Sequence, residues 1–141
     1  MTRVLIDTNV LIDLVSASRP AHGKTVSAVR SLLVADDVEG CILSSSLKDV
    51  YYVYCRHYGD EAAAREAIRE LRRMFVPLNL TTQVIDAALD SDEPDFEDSI
   101  VRAAAELAEC AYLLTRDAPA FSGARFEKID AAGLCDLLAR R

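Results

Sequence analysis

No apolar run in the 141-residue sequence approaches the roughly 20 residues that a membrane-spanning helix needs, so a soluble protein with no membrane partner is expected. No signal-peptide pattern opens it either. Met1-Thr2-Arg3 leads directly into Val4-Leu5-Ile6-Asp7, with no separate apolar stretch and no small-residue cleavage site, and the cytoplasm is the expected compartment. Cys41, Cys55, Cys110 and Cys135 lie far apart and form no Cys-x-x-Cys or Cys/His cluster. That sets zinc and dithiol chemistry aside and leaves buried free thiols as the expectation. His22 and His57 are lone residues without partners in sequence, and no chemistry is assigned to them. Positive charge is also short. Sixteen Lys and Arg stand against 23 Asp and Glu, a net charge of −7, which argues against broad, purely electrostatic binding of nucleic acid. A phosphate partner would need local help from a metal ion or an arginine patch. Repeats, low-complexity tracts and interdomain linkers are absent, and residues 1–141 read as one domain, long enough to bury a core without disulfides.

What is present is a globular balance, 51% hydrophobic and 28% charged residues, arranged as short strands alternating with helices. Residues 3–7 read as a buried strand and 10–15 as a helix capped by Thr8 or Asn9. A second helical pattern, Val26, Val29, Leu32, Leu33, ends in the charged segment 36–40, before a strand at 41–44. Ser45 or Ser46 caps a helix that stops near Gly59, and Asp60 caps another through Phe75, so these two form a hairpin outside the sheet. Residues 76–80 read as a brief extended segment and 82–89 as a helix. Asp95 caps a helix to about Ala108, 111–115 is a clear strand, 125–129 a weaker one, and 131–141 a terminal helix. Parallel pairing requires crossovers that helices supply. The fold class is therefore α/β, a central mostly parallel sheet of four to five short strands flanked by helices.

In such a sheet the C-terminal strand ends and the N-termini of the following helices share one edge, where ligands usually bind. Asp7 ends the first strand, Asp49 lies in the first turn or so of the helix after the second, and Asp117 follows Thr115 at the end of the third clear strand. Asp98 arrives at the same edge from the first turn of the helix preceding that strand. Two carboxylates about 5 Å apart repel by roughly 3 kcal/mol at an effective dielectric of about 20, so four together take up protons or recruit a cation. An all-oxygen site favours a hard ion, Mg²⁺ or Mn²⁺. Such an ion bridges to phosphate, lowers the pKa of a water and neutralises a leaving oxygen, which points to hydrolysis of a nucleic-acid backbone.

Two segments resemble the PIN-domain family, which includes the VapC-type toxins of bacterial toxin–antitoxin pairs. Val4-Leu5-Ile6-Asp7-Thr8-Asn9-Val10-Leu11-Ile12-Asp13 is similar to the family's opening strand, Asp-Thr/Ser-Asn/Ser turn and helix. Asp95-Phe96-Glu97-Asp98-Ser99-Ile100-Val101-Arg102, followed at the expected distance by Tyr112-Leu113-Leu114-Thr115-Arg116-Asp117, resembles its late acidic helix and Thr-Arg-Asp/Asn strand end. The resemblance covers nearly the whole chain. It implies a metal-dependent endoribonuclease using a metal-activated water, with Asp7 and Asp98 as principal metal ligands and Asp117 as a further acid. Thr8, Asn9 and Thr115 would support the ligands or the attacking water, and Arg116 would meet a phosphate. RNA as substrate, an antitoxin partner and a homodimer follow from the same resemblance. Two positions depart from the pattern. Asp49 stands where the mid-chain acid is commonly glutamate, and Ala120 precedes Phe121 where many members carry an acid, so the fourth position rests on Asp117.

Each candidate also has a plain structural reading. Asp7 suits a helix N-cap, Asp95-x-x-Asp98 has the outline of a capping box, and Asp117 suits a turn before Pro119. Asp49 lies on the polar side of its helix, opposite Leu47 and Tyr54. Asp13 is expected to pair with a surface arginine or to stabilise its helix locally. Arg65, Arg69, Arg72 and Arg73 read as a salt-bridged solvent face more readily than as an RNA stripe, because Glu61 and Glu66 precede two of them at helical spacing. Tyr51, Tyr52, Tyr54 and Tyr58 suit a core or a dimer interface better than base stacking. Competing functions are weaker: a receiver-like domain wants a late strand-end lysine and an early acidic pair, and a haloacid-dehalogenase-type phosphatase wants an Asp-x-Asp loop. The strongest competitor is a PIN-like module that binds RNA or protein without cleaving.

Overall fold

The computed structural model describes residues 1–116 and 119–140. In chain order the elements are β1 (Thr2–Ile6), α1 (Thr8–Val15), α2 (His22–Val34), β2 (Val38–Leu43), α3 (Ser46–Tyr58) and α4 (Glu61–Met74). There follow β3 (Val76–Leu78), α5 (Thr82–Leu89), α6 (Phe96–Leu107), β4 (Tyr112–Leu114), β5 (Glu127–Ile129) and α7 (Ala131–Ala139). The five strands form one sheet in the order β3-β2-β1-β4-β5, every neighbouring pair parallel. The expected α/β architecture is the observed one. No helix among the described residues is long and apolar enough to cross a membrane.

The sheet is buried on both faces where its central strands run apolar at successive positions, Val4–Ile6, Cys41–Leu43 and Leu113–Leu114, as parallel strands between helical layers do. Val4 and Ile6 of β1, Ile42 of β2 and Leu114 of β4 face a core shared with α1, α2, α3, α4 and α7. Leu5, Cys41, Leu43 and Leu113 face the opposite core, filled by α5, α6 and the aromatic pair Phe121 and Phe126. A fully buried Leu or Ile contributes about 1.5–3 kcal/mol, so β1 and its neighbours anchor both layers.

Local signals set most boundaries, with several corrections. The first helix is capped by neither Thr8 nor Asn9: Asp7 is its N-cap, and the Asp7 carboxylate accepts from the Thr8 N–H at 2.9 Å. Strand β2 begins at Val38, inside the segment read as a charged helix end, because Val38, Gly40 and Ile42 alternate onto the core under α2. Asp60, Thr81, Asp95 and Asp130 each cap the helix that follows, and Gly59 ends α3 at φ +64°, a left-handed position that favours glycine. The tyrosines of α3 do not fill a core. Tyr52 and Tyr58 are exposed, and Tyr54 and Tyr58 stack beside each other at 4.6 Å between ring centroids. The cysteines are all free thiols, Cys41 and Cys110 buried as expected, Cys55 and Cys135 only half-buried.

The strand order reverses direction about β1: the chain moves outward through β2 and β3, then returns to the other side of β1 with β4 and β5. The crevice beyond the carboxyl ends of β1 and β4 is thus the topological switch point, the position where α/β sheets open for ligands. Asp7 and Thr115 are the residues that immediately follow those two strands.

Candidate active site

Asp7 is held by both of its carboxylate oxygens. Oδ1 accepts from the Thr8 N–H, and Oδ2 accepts from the Thr115 hydroxyl at 2.8 Å, while its own N–H donates to Leu114 O at 2.9 Å. Only 8% of the residue is exposed. Thr115, itself buried, continues the sheet by donating its N–H to Ile129 O. The next link runs across the edge: the Thr8 hydroxyl donates to Ser46 Oγ at 2.8 Å and joins the N-termini of α1 and α3.

These groups line an open cleft of about 420 Å³. Asp7, Thr8 and Asn9 form one wall, Ser46, Lys48 and Asp49 of α3 another, and Glu97 and Asp98 of α6 a third. Asp98 is half-buried in the first turn of α6, its N–H bound to the Asp95 cap at 3.1 Å, where the positive end of the helix favours an acid. Asp49 is exposed yet opens onto the same cleft, so its polar helical face and its nearness to the acids are both observed. Three of the four expected aspartates therefore meet around one space. Asp117 lies outside the described residues. Among the described residues no three Asp, Glu, His or Cys side chains form a ready metal-binding group.

The donors nevertheless suit a hard cation. They are carboxylates and neutral oxygens, and Asn9 Oδ1 is buried in the cleft wall with no hydrogen-bond partner. An oxygen stripped of water and left unpaired costs about 1–3 kcal/mol, a cost that a cation or a bound water relieves. Reading the residues one by one missed Ser46, Lys48 and Glu97 as part of this space. Ser46 was legible only as a cap, and Lys48 and Glu97 only as neighbours of Asp49 and Asp98.

Other predicted residues have structural partners. Arg116 binds Asp13 through Nε at 2.5 Å while its side chain stays 45% exposed. Asp13 pairs with surface arginines as expected, Arg19 as well as Arg116, but its own carboxylate is buried. On α4, Arg65 pairs with Glu61, Arg69 with Glu66 and Arg73 with Glu70, the expected salt-bridged face. The Tyr51 hydroxyl donates to Glu61 at 2.5 Å, which pushes the phenol up to about 12 and ties α3 to α4.

A family profile described as PIN domain matches residues 3–118, from β1 through the residue after Asp117. The chain belongs to the PIN-domain family. Solved structures share its architecture. VapC20 of Mycobacterium tuberculosis, a Sarcin-Ricin loop cleaving toxin, matches with a TM-score of 0.66 at 17% identity, over 82% of this chain and 91% of that one. VapBC2 of Rickettsia felis, bound to a DNA fragment from its promoter, gives 0.67 at 9% identity over 92% and 98%. A toxin–antitoxin complex from Klebsiella pneumoniae gives 0.61 at 22% identity over 85% and 91%. At these identities the likeness is one of fold. No curated protein is a significant sequence match. Within the PIN domain, the Asp7–Thr115 hydrogen bond joins the two sequence segments that carried the resemblance, although they lie 108 residues apart.

Proposed function

We propose that this PIN-domain protein is a metal-dependent endoribonuclease, the toxin of a toxin–antitoxin pair. The observation that carries the reading is Asp7, buried at the switch point and oriented by Thr8 and Thr115 toward a cleft that Asp49 and Asp98 also line. Asp7 and Asp98 would hold a Mg²⁺ or Mn²⁺ ion, with Asp49 and Asp117 completing the acidic set. When bound, such an ion lowers the pKa of a water and neutralises charge on the leaving oxygen. The chain's own residues do the rest. Thr115 and Thr8 fix the Asp7 carboxylate in one orientation, and Asn9 offers its unpaired oxygen to a water or ligand in the cleft. Lys48 on the cleft wall offsets part of the acidic field that would otherwise repel a phosphodiester.

The similar Rickettsia and Klebsiella structures supply the support for an antitoxin partner, and VapC20 the support for RNA as substrate. A homodimer belongs to the same proposal. The competing reading is a PIN-like module that binds without cleaving, and it draws on Asp49 standing where the family's mid-chain acid is commonly glutamate.

Cleavage of a mixed pool of structured and single-stranded RNAs, with Mg²⁺, Mn²⁺ or EDTA, separates the two. Asn is as good an N-cap as Asp, so Asp7→Asn keeps the helix start while removing the charge. Cleavage is expected in either metal and should vanish in EDTA, in Asp7→Asn and in Asp98→Asn. Cleavage that persists in EDTA, or RNA binding without cleavage under every metal condition, would replace the nuclease with the binding module.

A further inference from the structure

Asp13 is the most deeply buried charge among the described residues, with only 1% of the residue exposed on the inner side of α1. Two guanidinium groups converge on it. Arg19 Nε lies 3.2 Å from Oδ1, and Arg116 binds with Nε at 2.5 Å from Oδ2 and Nη2 at 3.4 Å from Oδ1. His22 Nδ1 approaches the Asp13 main-chain oxygen at 2.8 Å and closes the same corner. One bidentate arginine satisfies a carboxylate. A second beside it adds repulsion between the two cations, so neutralising Asp13 does not account for both.

The outer edges of these arginines face water. Their side chains are 36% and 45% exposed, and most of the N–H groups of each guanidinium are not used by Asp13. One buried negative charge with two half-exposed positive ones leaves a local excess of one positive charge, in a chain whose net charge is −7. Its place is adjacent to the acids. Arg116 directly follows Thr115, the residue bonded to Asp7. Ile12 lines both the acidic cleft and a second cavity of about 220 Å³, whose wall includes Ser18, Arg19 and His57. Arg19 therefore reaches the cavity that shares Ile12 with the acidic cleft, and Arg116 reaches the acids through the chain, one residue beyond Thr115.

Resting on the nuclease reading, we propose that Arg19 and Arg116, held side by side by Asp13, form a phosphate subsite for the RNA strand. It takes a backbone phosphodiester next to the one cleaved, with Asp13 as the positioning residue that keeps both guanidinium groups in place. The acidic cleft repels backbone phosphates wherever a cation does not bridge them. A cationic pair fixed by Asp13 and joined to the site through Thr115 gives the strand an anchor.

The test is binding of a short mixed-sequence single-stranded RNA in EDTA across a salt series, beside the cleavage assay in Mn²⁺. Arg19→Gln and Arg116→Gln each leave Asp13 one partner, so both should fold. Each is expected to weaken binding roughly tenfold, as loss of a charge-assisted hydrogen bond does. Each should also lower the slope of log affinity against log salt by about 0.7, the value for one phosphate contact on a single strand. Arg69→Gln, on the far salt-bridged face of α4, should change neither quantity. Asp13→Asn should weaken binding as the pair disperses. Wild-type binding and cleavage with unchanged slopes in both arginine variants would overturn the subsite and leave the nuclease standing. A loss confined to Asp13→Asn and accompanied by a lower melting temperature would also overturn it, placing the effect in the fold. Absence of both cleavage and binding in the parent would instead remove the nuclease reading, and the subsite with it.

Discussion

Asp7 shows how one side chain serves folding and chemistry together. Its Oδ1 completes the first turn of α1, and its Oδ2 receives the hydroxyl of Thr115 from the neighbouring strand end. Capping and site roles, which looked like rival readings of one aspartate, are compatible because a carboxylate has two oxygens with several acceptor sites. Thr115 is then the residue whose removal should disturb the site without disturbing the sheet. Thr115→Val keeps the volume and branching but lets the Asp7 carboxylate turn, and a 10–100-fold fall in activity or metal affinity is expected, as for other residues that orient a ligand. Thr115→Ser should restore most of it. Cleavage rates and Mn²⁺ titrations on the three proteins measure this, and equal rates in Thr115→Val and the parent would show that the bond does not orient Asp7. Asp13 takes the arginine partner expected of it, but its burial and its second arginine follow only from the packing of α1 against its neighbours.

Among the elements, β2 carries the tightest packing requirement. Gly40 faces α2 and the end of α4, and a Cβ at that position would lie 2.8 Å from both Leu32 Cδ2 and Phe75 Cδ1. Leu32 and Phe75 are buried and have little room to retreat. Gly40→Ala should therefore destabilise the protein by about 1–3 kcal/mol, as overpacking of a close-packed core does. Urea unfolding would detect it as a lower midpoint at unchanged slope, and an unshifted midpoint would mean that the two side chains yield freely. Helix starts were legible in sequence where a capping side chain announced them, as at Asp60 and Asp95. The start of β2 was not, because Asp36, Asp37 and Glu39 mask its first residues, where only Val38 and Gly40 turn toward the core. The α3 tyrosines read as core or dimer interface in sequence; Tyr52 and Tyr58 lie outside the core, and the Tyr58 hydroxyl shares a hydrogen bond with the buried Ser16 at 2.8 Å.

For the whole molecule, the cleft gathers Asp7 and side chains from α1, β2, α3 and α6, elements far apart in sequence that the fold brings together. An ion binding there would tie them together and stabilise the native state by mass action, since the unfolded chain has no such site. At about a hundredfold above its Kd, the gain is about 2.7 kcal/mol. Mn²⁺ should accordingly raise the melting temperature of the parent by several degrees and leave Asp7→Asn nearly unmoved. Equal shifts in both proteins would mean that the ion binds elsewhere.

The sequence by itself determined the α/β class, most of the element order and the edge to which Asp7, Asp49 and Asp98 come. Those follow from short-range properties: runs of apolar residues, capping side chains, and the rule that parallel strands present their carboxyl ends together. Tertiary structure alone decided the contacts between distant segments. It paired Thr115 with Asp7, buried Asp13 beneath two arginines, and opened the acidic cleft onto Lys48 and Glu97. The physical reason is that a side chain's partners across the sheet depend on strand order and register, and hydrophobic patterning constrains these only once every layer is packed.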